Sequence, residues 1–145
     1  MRQCNKIRAM NRSLIILLIL LFSSCVNLKK PIHDKYATLM TIEFVDLNIE
    51  TPMDIKCEDF EKYFPNIQTK VVNDSIKLNQ ILNTLNHLKI AGNEYYKHVD
   101  TRIKIEIKYN NDSIETIYMD KFIVNRTNQL LTNTDSLKYL LTKTE

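Results

Sequence analysis

Gly92 is the only glycine among 145 residues, and tryptophan is absent. A phosphate cradle needs several residues without a Cβ, so P-loop and dinucleotide-binding folds are excluded. A GxSxG nucleophile elbow fails for the same reason. Cysteine is scarce too, with Cys4, Cys25 and Cys57 making three. Of the three histidines, His33, His87 and His98, none stands at HExxH or CxxC-type spacing from another ligand. Each reads as a solvated or capping residue, and no metal or cofactor is expected. Acidic residues are missing from the whole stretch before Asp34.

That stretch has a different character. Met10-Asn11-Arg12-Ser13 leads into nine apolar residues, Leu14 to Phe22, then Ser23-Ser24-Cys25. As a helix the run rises about 14 Å, against roughly 30 Å of hydrocarbon to cross. Extended through Leu28 it is still shorter than a span. A basic head, a short apolar run and small residues before a cut site describe a secretory signal. Met10 to Ser24 alone makes a complete signal, in which case Cys4 precedes the start.

With cysteine at the cut, the segment resembles the signal of bacterial lipoproteins. Ser23, Ser24 and Cys25 match that pattern, and Phe22 stands where an aliphatic residue is usual. The resemblance implies removal of residues 1–24, acylation of Cys25, and attachment to a membrane of the cell envelope. Val26 is not the Asp that retains many such proteins at the inner membrane, which favours the outer membrane. Residues 25–35 read as a tether, and 36–145 as a single domain.

Removing the signal changes the charge. Of the 20 Lys plus Arg, Arg2, Lys6, Arg8 and Arg12 precede Cys25, while all 17 acids follow. The remaining 16 basic residues against 17 acids leave a net charge of −1, without the basic footprint of a nucleic-acid binder. Only Cys57 is then left unmodified, so no internal disulfide can form. It reads as a small buried residue on a helix face, the alternative being a free thiol.

Hydrophobic periodicity predicts the elements. Met40, Ile42 and Phe44 alternate as a strand whose phase shifts at Val45, predicting a bulge near Phe44-Val45 or two strand segments. Cys57, Phe60 and Phe64 share a helical face that Pro65 ends. Ile67 to Val72 is a short strand. Asn73-Asp74-Ser75 opens a helix to about Ile90, with Leu78, Ile81, Leu82, Leu85 and Leu88 inward and Gly92 past its end. Ile103, Ile105, Ile107 and Tyr109 alternate with Arg102, Lys104, Glu106 and Lys108, predicting one buried and one wet face. Ser113 to Met119 returns as a hairpin partner and Phe122-Ile123-Val124 follows. Asp135-Ser136 caps a last helix. The fold class expected is α+β: an antiparallel sheet of about 4–5 strands with two to three helices on one face.

Function is less legible. Tyr95, Tyr96 and His98, in one polar loop, are the best candidates for a recognition surface. Three Asp-Ser-aliphatic triplets, at Ser75, Ser113 and Ser136, resemble the O-glycosylation acceptor of certain lipoprotein-rich Gram-negative bacteria. Asp and Ser equally suit the helix starts and hairpin where these triplets fall. The sum points to a membrane-tethered lipoprotein whose domain binds a protein or ligand, an immunity-type inhibitor being one form. The alternative is an envelope hydrolase whose active residues converge from distant positions. Such a hydrolase needs a deep pocket holding a His with a Ser, Cys or carboxylate.

Overall fold

The computed structural model describes residues 34–92 and 98–143. Cys25, Tyr95 and Tyr96 lie outside them. Six strands form one antiparallel sheet in the order β2-β1-β3-β4-β5-β6. They are β1 (Ala37–Phe44), β2 (Gln68–Val72), β3 (Ile103–Tyr109), β4 (Ile114–Met119), β5 (Ile123–Arg126) and β6 (Gln129–Thr132). A 3-10 turn at Cys57–Asp59 runs into α1 (Phe60–Tyr63), and α2 (Ser75–Asn86) and α3 (Asp135–Thr142) complete the elements. The α+β class holds, and the strand count of 4–5 is corrected to six.

One face of the sheet carries the main core. Met40, Ile42, Ile103, Ile105, Ile107, Ile117 and Met119 are all fully buried there. They pack against Leu78, Ile81 and Leu85 of α2 and Leu137 and Leu141 of α3. The Asp74 carboxylate starts α2 by accepting from the N–H of Ile76 at 2.8 Å and of Lys77 at 3.0 Å. For α3 the cap is Thr134, whose hydroxyl accepts from the N–H of Leu137, one residue before the expected Asp135-Ser136.

Several boundaries move. The helix expected to reach Ile90 stops at Asn86, where the His87 N–H closes the last turn. Residues 89–91 then turn to β6, Thr132 donating to Lys89 O and Ala91 to Leu130 O. Gly92 is therefore no cap, and its φ is not positive. The strand β6 lacks a turn signal: Thr127 and Asn128 adopt φ of 50° and 63°, left-handed values usually held by Asn or Gly. The irregularity of β1 falls between Ala37 and Leu39, not at Phe44-Val45. After Phe44 the chain leaves the sheet.

The opposite face is not simply wet. Val45, Ile55, Phe60 and Phe64 form a second apolar cluster, and Ala91, Val99 and Ile123 with Leu130 a third. By strand alternation Lys104, Tyr118, Ile123 and Asn125 point away from the main core, so both small clusters cover this second face. Only α2 and α3 share the core face. The third helix, α1, faces Lys104 on the other side through Glu61, which corrects the expectation of helices on one face alone.

Candidate binding cleft

Strands β1 and β2 are antiparallel neighbours, which a turn of 2–5 residues could join. Instead residues 45–67 make a long excursion across the second face. A connection of that length inside a compact fold needs something to hold it, and Arg102 does so.

Alternation places Arg102 beside Lys104 on the polar face, yet it is only 4 % exposed. Its guanidinium meets the Asp100 carboxylate with both terminal nitrogens, Nη1 to Oδ1 at 2.6 Å and Nη2 to Oδ2 at 2.8 Å. Nε donates to Ile49 O, Nη2 also to Thr51 Oγ1 at 2.8 Å, and Nη1 also to Thr101 O at 3.0 Å. The fork-on-fork geometry is one that only arginine supplies. Asp100 Oδ1 further accepts from the Ile55 N–H at 2.7 Å, and Thr101 donates to Ile55 O at 2.8 Å.

Lys104 holds the far end of the excursion. Its ammonium lies 2.5 Å from Glu61, 3.0 Å from Glu106 and 3.3 Å from Glu43, and its side chain is 14 % exposed. Burial pulls its pKa down, but the three carboxylates outweigh this and the net shift is upward. Glu61 is correspondingly held below the usual carboxylate range by Lys104.

Between the two small clusters runs a cleft of about 650 Å³. Asp54, Lys56, Cys57 and Glu58 of the excursion form one wall. His98, Val99, Asn125, Asn128 and Leu130 form the other. A His98 ring nitrogen pairs with the Asp54 carboxylate across the cleft, both side chains about three-fifths exposed. Lys56, Glu58, Asn125 and Asn128 make no side-chain hydrogen bond or ion pair among the described residues. The walls thus offer two carboxamides, an ammonium and a carboxylate above the apolar Val99 and Leu130. That is the composition of a site for a polar ligand with some apolar surface.

Cys57 is half-buried, not the fully buried residue expected. The Thr101 hydroxyl donates to its sulfur at 3.7 Å. Beside it, burial chiefly, and the Cys57 sulfur secondarily, push the Tyr118 phenol up. Among the described residues no three His, Cys, Asp or Glu side chains gather closely enough to hold a metal ion.

Other sequence candidates stay apart. His87 closes α2, its Nδ1 2.6 Å from Asn83 O. Three further acids have separate partners: Glu43 faces Lys104, Asp46 accepts from the Asn48 N–H, and Asp59 meets Lys62. Ser75 and Ser136 are exposed at the starts of α2 and α3. Ser113 is half-exposed after the β3–β4 turn and donates to Asn111 Oδ1 at 2.7 Å. Arg102, Lys56, Asn125 and Asn128 were missed. Asp100 and Arg102 two residues apart before a strand was the one available signal.

A second polar cluster closes the far end of the main core. Arg126 Nε lies 2.6 Å from Glu115 Oε1, Tyr109 Oη donates to Glu115 Oε2 at 2.5 Å, and Arg126 Nη1 donates to Asn86 at 2.7 Å. The hydrogen bond from Arg126 holds the Glu115 carboxyl below its usual range against the opposing effect of burial. Burial, then the hydrogen bond to Glu115, pushes the Tyr109 phenol up to about 12. A raised phenol contributes stability that is intact below its unfolded pKa near 10 and lost as pH climbs to its folded value. Between pH 10 and 12 the protein should lose at most about 2 kcal/mol on this account. Urea unfolding across that range should show Tyr109→Phe lacking this part of the loss.

Comparison of the chain with protein-family models, with curated proteins and with solved structures finds no match.

Proposed function

We propose that this is a membrane-tethered lipoprotein of the bacterial cell envelope whose α+β domain binds a protein or small ligand in the cleft between residues 54–58 and the β5–β6 hairpin. The observation that carries the reading is the set of uncommitted groups on facing walls: Lys56 and Glu58 opposite Asn125 and Asn128. Buried polar groups that are already paired hold a fold, whereas uncommitted ones in a cleft are available to a ligand. An immunity-type inhibitor, neutralising an incoming toxin from the membrane, is the protein-binding form of this function. It needs a complementary surface and no catalytic group. The outer membrane is the location that Val26 supports.

The anchor has its own test. Cys25→Ser should leave the protein unprocessed or move it from the detergent phase to the aqueous phase on phase separation. A variant that still matures and partitions with membrane contradicts lipid attachment at Cys25.

One observation favours a second reading. Cys57 and the His98–Asp54 pair line the same cleft, the residue types of a thiol hydrolase. Against it, the sulfur's hydrogen bond is with Thr101, while His98 is engaged by Asp54. Turnover of a peptide, glycan or ester substrate abolished by both Cys57→Ser and His98→Ala would establish the hydrolase. Stoichiometric binding unaffected by Cys57→Ser would establish the binding domain.

A further inference from the structure

We infer that residues 46–64 are a flap that opens as one unit while the sheet stays folded, regulating entry to the cleft. The flap rests on the cleft reading only for what it gates.

Three observations place the flap apart from the rest. Its buried apolar side chains, Ile55, Phe60 and Phe64, pack with Val45 and Ile67, and only the partly buried Leu47, at its first turn, packs against the main core. Phe60 and Phe64 meet edge to face at 5.7 Å, so the flap carries its own small core. The ends of the flap leave and rejoin the sheet next to each other, because Phe44 pairs with Gln68 at the β1–β2 end. Opening therefore costs the sheet no strand.

The flap is also fastened almost entirely to one short stretch, residues 98–104. Asp54 bonds His98, Ile55 bonds Asp100 and Thr101, Cys57 bonds Thr101, Ile49 and Thr51 bond Arg102, and Glu61 bonds Lys104. Outside that stretch, Lys121 donates to Asn48 Oδ1 at 3.2 Å. Polar rivets concentrated on one seam, with Leu47 the one flap side chain packed on the main core, are the conditions for sub-global opening below the free energy of global unfolding. Arg102 holds Ile49, Thr51 and Asp100 together, so it is the positioning residue of the seam. The flap carries the Asp54, Lys56, Cys57 and Glu58 wall of the cleft, so opening removes that wall as a whole.

Native-state hydrogen exchange of the full-length chain in detergent, followed by mass spectrometry at graded sub-denaturing urea, tests this without any ligand. The flap account expects backbone amides of 46–64 to exchange as a block, at least tenfold faster than those of β3 and β4. In Arg102→Met the same block should speed a further tenfold or more and still exchange ahead of β3, β4 and α2, whose rates follow the variant's global stability. Should that variant fail to fold, the wild-type gradient still decides. Exchange of 46–64 in a single step with β3 and β4 overturns the flap. So does a block whose rate Arg102→Met leaves unchanged. Neither result bears on whether the cleft binds a ligand, which a separate binding measurement reads.

Discussion

Ile105→Ala should cost about 2–5 kcal/mol of unfolding free energy, a large share of what a domain of this size possesses. Ile105 is fully buried at the centre of the sheet, its neighbours across β1 and β4 being Ile42 and Ile117. Truncation removes three carbons from a packed layer whose other side is closed by α2 and α3, so the cavity cannot collapse freely. Urea unfolding followed by circular dichroism measures the loss. Lys108→Ala on the exposed end of the same strand should stay within about 0.5 kcal/mol. Equal losses at both positions would mean that the layer assignment is wrong.

Arg102→Met should be comparably damaging by a different route. Breaking a buried pair by removing one partner leaves Asp100 partly buried without its counter-charge, a loss of about 3–5 kcal/mol. The carbonyl of Ile49 and the hydroxyl of Thr51 lose their donors as well. Arg102→Lys should recover little, because an ammonium cannot present two parallel N–H bonds to Asp100 and still reach the flap. The same unfolding experiment on both variants checks this. A lysine variant as stable as the wild type would reduce Arg102 to a point charge.

The elements whose side chains face one environment throughout were legible in the sequence. Alternation along Ile103, Ile105 and Ile107 and the helical stripe of Leu78, Ile81 and Leu85 follow directly from a single core, and both are buried as expected. Legibility failed where local chemistry did not announce the structure. Strand β6 follows a turn made of Thr127 and Asn128, with neither glycine nor proline to mark it. Lys104 and Arg102 read as solvated because alternation assigns a face but cannot know that residues 45–67 return to cover it. The cleft was legible only in fragments. His98 was singled out within a polar loop, but Asp54, Lys56 and Asn128 acquire meaning from a pairing of distant segments that no local pattern carries. Cys57 was assigned a fully buried place because three apolar residues at helical spacing imply a buried face. The helix proved to be a single turn, and its first residue looks partly into the cleft.

The central claim is that the cleft binds a partner through Lys56, Asn125 and Asn128. It is tested most directly by incubating the immobilised full-length protein with bacterial envelope extract, with quantitative mass spectrometry of what co-purifies. Wild type is compared with the triple variant Lys56→Ala, Asn125→Ala, Asn128→Ala, after circular dichroism has shown that the variant is folded. The account predicts at least one species retained by the wild type and depleted tenfold or more with the variant. Identical retention by both proteins, or nothing above a blank resin with either, would contradict it.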